Sequence, residues 1–328
     1  MSRAKLKTED LLARIEAEVR RLRSGDDWKR WLKAAAQFHQ YSFGNVLLIQ
    51  LQRPDATRVA GYGDWQKLGR QVIRGETGIK ILAPVWSRKT DTVAHAEQDQ
   101  PQDREAKPAK VRSGRRLIGF RTTVVFDISQ TTGEPLPAGP TPQPVVGQVP
   151  PGLWEALAAE VSNAGFTLAR EKASDLTVDG YTDHDEKKVV VATHLDDVSA
   201  VACLAHEIAH MRMHSIQEVV AAGTIMCRGT REVEAESVAY VLLSHHGLET
   251  DQSSFGYIAG WAATVDKGTP EKVLQATGRR VTAMAKQLIN STDRFRGEIS
   301  PVPVRPEISR SFAYELPGVE LDFVGPIL

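Results

Sequence analysis

The run His206-Glu207-Ile208-Ala209-His210 is where residue types and spacing could do chemistry. Two histidines four apart on a helix lie about 6 Å apart along its axis, so both rings can reach one ion from the same side. Glu207 would stand beside that ion, where a carboxylate can take a proton from water. This is the H-E-x-x-H arrangement of zinc hydrolases. Chance supplies it about once or twice in a hundred chains of this composition, so it needs support elsewhere.

A four-coordinate catalytic zinc takes three protein ligands and leaves the fourth place to water. Downstream, REVEAESVAY (231–240) reads as a second helix on which Glu232 and Glu236 share a face. Glu232 is the expected third ligand. Glu236 is expected in the second shell, orienting a ligand histidine through its other nitrogen. The reverse assignment stays open, and Glu234 falls on another face. His214 extends the histidine ladder but lies about 12 Å along the axis from His206, too far to share an ion. Nor does a glycine turn precede it, as the metzincin pattern requires. Cys203 reads as a small apolar residue, His184 as a solvated turn residue, and His245 and His246 as a helix end favoured by the dipole. In such a site Glu207 is the general base and then passes its proton to a leaving amine. The donor for a developing oxyanion is open among Tyr181, Tyr240 and the distal histidines. A purely structural zinc is the competing reading.

The elements that must position these residues suggest an α+β fold in two domains. Residues 1–130 read as a mixed α/β domain, with Trp28, Trp31, Leu32, Ala35 and Phe38 at helical spacing. Asp26 or Asp27 is the expected cap of that helix, and Asn45 of a second, VLLIQLQ. Short strands are expected at Arg58–Ala60, Gln71–Ile73 and Ile79–Leu82, and again within LIGFRTTVVFDI. Residues 87–116 have almost no large apolar side chains and read as a mobile insertion. Residues 131–151 hold seven of the 17 prolines and read as a linker. Residues 152–296 read as mainly helical with a small sheet: a helix from Leu153 closed by Gly165, strands at Leu176–Thr182 and Lys188–Ala192, then helices near 198–213, 232–245, 252–264 and 271–290. Residues 297–328 read as an extended tail.

Residues 1–121 carry 25 Lys+Arg against 14 Asp+Glu, and the remainder 16 against 27, so a neutral chain has a basic front and an acidic back. Basic halves attract polyanions, nucleic acid foremost. Single-strand binders interleave cations with aromatic faces on which bases stack. Tyr41, Phe43 and Asn45 around one helix start, Trp65 beside Lys67, Arg70 and Arg74, and the further cation Lys80 fit that pattern, with Arg121 as another phosphate contact. Phe43 and Trp65 also fit a buried core. The charged N-terminus has no secretory h-region, no apolar run approaches about 18 residues, and two cysteines are too few for a disulfide framework. The expectation is a cytoplasmic protein without a membrane partner.

HEIAH followed by REVEAESVAY resembles the gluzincin peptidases of the ImmA/IrrE type, in which an E-x-x-A-[D/N/E] helix follows HExxH. The run FHQYSFGNVLLIQLQRPDATRVAGYGDWQKLGRQVIRGETGIKILAPV, with VVFDISQTTGEPL, resembles the N-terminal single-stranded-DNA-binding domain of ArdC-type antirestriction proteins, as does SSFGYIAGWA nearer the C-terminus. The resemblance covers most of residues 26–292. It implies a mobile-element protein that binds single-stranded DNA without sequence preference (duplex DNA being a further possibility) and carries a Zn²⁺ metallopeptidase domain acting on an unknown protein. By position, His206, His210 and Glu232 match the metal ligands and Glu207 the general base. The long insertion and the tail depart from the family pattern. Two alternatives stay open: a strand-coating protein with a structural zinc, and a peptidase that cleaves a repressor or a DNA-crosslinked protein.

Overall fold

The structure, a computed structural model, describes residues 7–88, 115–133, 148–172, 179–215, 228–248, 262, 265–266 and 268–297. Among these are eight α-helices and eight strands in three small sheets, an α+β fold. The expected helix 252–264 and the SSFGYIAGWA segment lie outside the described residues save Ala262. So do residues 89–114 of the insertion, 134–147 of the linker and the tail beyond 297.

Helix α1 (Thr8–Val19) buries Leu11, Ile15 and Val19, one face at a four-residue repeat. Helix α2 (Gly25–Gln37) starts at Ser24 rather than at either expected aspartate. The Ser24 hydroxyl accepts from the Asp27 N–H at 3.1 Å, and the Asp27 carboxylate accepts from the Ser24 N–H at 3.0 Å, a reciprocal box that puts Asp27 in the first turn. Helix α3 (Phe43–Gln52) begins two residues before Asn45.

Strand β1 (Val59–Gly61), helix α4 (Tyr62–Lys67) and strand β2 (Arg70–Val72) lead into a long antiparallel pair, β3 (Ile79–Arg88) and β4 (Arg115–Asp127). The pair reaches into both ends of the expected insertion, where Ser87 faces Arg116 and Arg88 faces Arg115. Strand β5 (Thr131–Gly133) pairs with β2, so the expected linker opens as ordered strand.

The free edge of β3 is covered by side chains instead of a strand. Asn45 donates to the Leu82 carbonyl and accepts its N–H, both at 2.9 Å. Two helical turns on, Gln52 donates to the Lys80 carbonyl at 2.8 Å and accepts its N–H at 3.0 Å. The two amides replace the missing ladder, which removes an edge open to pairing. At the far end of β4, buried Asp127 accepts N–H groups from Thr57, Arg58 and Ser129. Burial pushes its pKa up, but the hydrogen bonds outweigh burial and hold it below 3.8.

In the second half, helix α5 (Leu153–Asn163) ends before Gly165, whose positive φ of 77° reverses the chain. Strand β6 (Thr167–Glu171), which the sequence did not announce, runs parallel to β8 (Lys188–Ala192), and β7 (Gly180–Asp183) pairs antiparallel on the other side of β8. Helices α6 (Asp197–Met213), α7 (Arg228–His245) and α8 (Pro270–Phe295) complete it. The two halves share one buried cluster running from Leu11 to Ile289. Trp28 of α2 donates its indole N–H to Ser237 of α7 at 2.9 Å within it. Phe43 of α3 lies against α8 where a methyl group on Gly278 would sit 2.3 Å from its ring.

In an open helix Gly→Ala stabilises, but Gly278→Ala is expected to lower stability by about 1–3 kcal/mol through overpacking. A thermal midpoint unchanged or raised would show that the Phe43 ring yields. For Asp127 the depressed pKa means its carboxylate stabilises the fold above pH 3.8, an effect lost as pH falls through the folded value. The gap in urea midpoint between wild type and Asp127→Asn should therefore narrow on acidification below that pH.

Candidate metal centre

Helix α6 is capped by Asp196, whose carboxylate accepts the Ser199 N–H at 2.7 Å. Ala200, Val201, Leu204, Ala205, Ile208 and Ala209 are all buried along it. That anchorage leaves His206 and His210 half-buried on one side, with Nε2 atoms 3.0 Å apart. Helix α7 delivers the third donor: Glu232 Oε2 is 3.6 Å from each Nε2. Tetrahedral bonds of about 2.0–2.2 Å place neighbouring donors roughly 3.3–3.6 Å apart, so both separations to Glu232 suit one zinc-sized ion with a fourth place open, and the two nitrogens would open from 3.0 Å by about 0.3 Å to admit it. Glu236 Oε2 instead lies 3.2 Å from His206 Nδ1, on the outer side of that ring. Between the two open assignments, the structure puts Glu232 on the inner side and Glu236 behind.

Burial pushes His206 down, but Glu232 and Glu236 outweigh it and raise its pKa to about 9. Burial and then the His206 charge push His210 down to about 4. The two rings are coupled: the carboxylates favour charge on His206, and that charge opposes a second one on His210. Glu207 is buried, and burial raises its pKa against the pull of a hydrogen bond from the Thr182 hydroxyl at 2.8 Å. A raised carboxylate pKa suits a base working near neutrality. Thr182 was not legible in the sequence, because the contact exists only once β7 lies along α6.

Both tyrosine candidates for the oxyanion fail on position. Thr182 faces α6, so strand alternation turns its neighbour Tyr181 to the opposite face of the sheet. Tyr240 is buried, with the Lys29 ammonium 5.7 Å from its ring centroid. Glu234, away from the three donor atoms as expected, is buried and paired with His214 and Arg280. Cys203 donates its thiol to the Asp179 carbonyl, and burial pushes it up to about 12, an unreactive thiol.

A second group, His245, His246 and Asp293, also brings possible ligand atoms together. Here the proton inventory argues against an ion. Arg296 lies 3.0 Å from His246 Nδ1 and can only donate, so the ring proton sits on Nε2 and is given to Thr292 at 3.0 Å. His246 then has no lone pair to offer, which leaves His245 and Asp293 as an ordinary hydrogen-bonded pair at 3.3 Å.

Residues 4–126 match the family described as the N-terminal domain of anti-restriction factor ArdC. Over those residues the chain is similar to that domain. The chain is also similar to an uncharacterized Bacillus anthracis protein, pXO2-81, with 24% identity over 90% of this chain and 53% of the relative. It thus spans about half that relative's length. A metal-free crystal structure of the antirestriction ArdC protein from plasmid R388 is 17% identical, with a TM-score of 0.47 over 76% of this chain and 85% of that one. The Mn(II)-bound structure of the same protein gives 17% and 0.43, over 78% and 97%.

Within the matched residues the expected stacking residues are corrected. Phe43 is buried edge-on to Trp31 at 4.9 Å, and Trp65 is buried with its indole N–H on the Phe126 carbonyl at 2.9 Å. Tyr41 packs on the core and donates its hydroxyl to the Val59 carbonyl at 2.9 Å, with burial raising its pKa. Asn45 is committed to the β3 edge. No base can lie on faces already covered by protein. Arg70 is engaged with Thr131 and Gly133, tying β2 to β5. Lys67 pairs with Asp64 on the surface, Arg74 is exposed and Lys80 is half-buried. Among the described residues of 7–133, the exposed aromatics are Tyr62, 50% exposed, and Trp86, 46% exposed, neither of which the sequence pattern singles out. Trp86 adjoins the polar insertion, and that polarity was its available signal. Trp65→Ala is expected to cost about 3–5 kcal/mol in a denaturant titration. Arg74→Ala should change stability by less than about 0.5 kcal/mol. Equal effects would contradict this division into core and surface.

Proposed function

We propose that this chain is an antirestriction protein that binds single-stranded DNA through its ArdC-type domain and hydrolyses peptide bonds at the centre formed by His206, His210 and Glu232. The observation that carries the catalytic part is the convergence of two imidazole nitrogens and a carboxylate oxygen within 3.6 Å beside a buried carboxylate. Two imidazoles and one carboxylate suit zinc. When bound, such an ion polarises a carbonyl and acidifies water. Glu207, oriented by Thr182, takes the proton from the attacking water on its carboxylate and delivers it to the leaving nitrogen. Glu236 keeps the His206 ring turned inward. Support for the DNA part is the ArdC-type domain itself, the net charge of +11 over residues 1–121, and the exposed Trp86, Tyr62 and Arg74.

The test uses the full chain, assayed for bound metal, for oligonucleotide binding, and for cleavage of labelled casein with and without single-stranded DNA. Glu207→Gln should keep the metal and the DNA but lose at least about 100-fold in cleavage. Zinc without chelator-sensitive cleavage would leave a strand-coating protein with a structural ion. Trp86→Ala is expected to weaken oligonucleotide binding about 5- to 160-fold, the worth of one stacked base. Arg74→Ala should lower the salt slope by about 0.7. Unchanged affinity in both would move the DNA surface elsewhere.

A further inference from the structure

We propose that His214, Glu234 and Arg280 form a positioning relay that fixes the tautomer and ring orientation of His210. The inference rests on the metal-centre reading above and adds residues outside the ligands and the base. His210 Nδ1 is 2.9 Å from His214 Nδ1, and His214 Nε2 is 3.1 Å from Glu234 Oε2. Arg280 Nε stands 3.0 and 3.1 Å from the two oxygens of Glu234. The same guanidinium donates to the Met213 carbonyl at the end of α6 at 3.2 Å. The His214 and Glu234 side chains are only 2% and 1% exposed, so water does not compete for these bonds.

The proton positions follow in sequence. Arg280 can only donate, so both Glu234 oxygens serve as acceptors. Glu234 therefore takes a hydrogen from His214 Nε2, and His214 Nδ1 is the nitrogen that accepts on the other side of the ring. His210 accordingly carries its hydrogen on Nδ1 and presents the lone pair of Nε2 to His206 and Glu232. His206 reaches the same state directly, through Glu236. Each ligand histidine is thus held by a carboxylate of α7, one in contact and one through an intervening imidazole. The ladder spacing that puts His214 out of reach of the ion is what puts it within reach of the far side of His210. Ring orientation set this way is commonly worth 10- to 100-fold in metal affinity.

The experiment compares wild type, His214→Phe and His214→Gln. Glutamine can accept from His210 and donate to Glu234, whereas phenylalanine fills space and does neither. Zn²⁺ affinity is measured by competition with a chromophoric chelator. The His210 tautomer is read in the metal-free protein from long-range ¹H–¹⁵N correlation of the imidazole. The relay predicts about 10- to 100-fold weaker zinc binding and loss of the Nδ1–H state in His214→Phe, with both largely restored in His214→Gln. Thermal unfolding of the three metal-free proteins separates this from a general loss of packing. Zinc affinity and tautomer unchanged in a folded His214→Phe would overturn the proposal. If wild type takes up no zinc, the metal-centre reading fails, while the tautomer measurement still decides whether the relay exists.

Discussion

Two imidazole nitrogens 3.0 Å apart cannot both present bare lone pairs unless something positive lies between them. A proton or a metal ion meets that requirement, and the rest of the C-terminal half is arranged around it. The outer nitrogen of each ring is taken by a partner, so the inner nitrogen is the one left for a cation. Glu236 of α7 is the partner of His206, while His214 at the end of α6, itself bonded to Glu234 of α7, is the partner of His210; α7 also brings Glu232 to the inner side. Removing the helix-to-helix register between α6 and α7 would leave the same sequence motif without a site. The histidine pair supplies the spacing, and the neighbouring helix supplies the proton positions and the third donor.

The same reasoning separates two clusters that distance alone treats alike. Both gather histidine and carboxylate atoms within 4.8 Å. In the first, both outer nitrogens face groups that accept, so hydrogens are drawn outward and lone pairs remain inside. In the second, a guanidinium donates to His246 and reverses that order. Edge-to-face packing of His39 on His245 at 4.7 Å, with burial lowering the His39 pKa to about 4, makes the second cluster a packed junction between the chain after α2 and the helices α7 and α8. A dication there would also face the Arg296 charge.

Legibility in the sequence divides along physical lines. Helices were readable where an apolar repeat persisted, as in α2, α6 and α8, with ends misplaced by one or a few residues. The α2 cap was assigned to an aspartate because a carboxylate can cap. Ser24 takes that role since the box needs an acid three residues into the helix. Strand β6 is not legible because TLARE holds one large apolar residue and none of its side chains is fully buried. The ligand positions could be proposed from spacing alone, since i and i+4 on one helix is a local relation. Thr182 and Arg280 could not, being brought in by packing between distant segments. The aromatic residues offered for DNA failed for a related reason: a tryptophan flanked by cations looks the same whether its ring faces solvent or, like Trp65, fills the space under β4.

The chain also departs from the picture of two halves joined only by a proline-rich stretch. Ser237, which accepts the indole N–H of Trp28, directly follows Glu236 on α7. Phe43 presses on α8 at Gly278, two residues from Arg280. The N-terminal half therefore braces the two helices that supply the carboxylates and the guanidinium behind the histidine pair. Its buried aromatics, unavailable to a nucleic acid, set the position of α7 and α8 instead. A tryptophan donating into the core and a glycine shaved to admit a phenylalanine ring are contacts that tolerate little displacement. The geometry of the centre is in that sense a property of the whole described chain rather than of its C-terminal part.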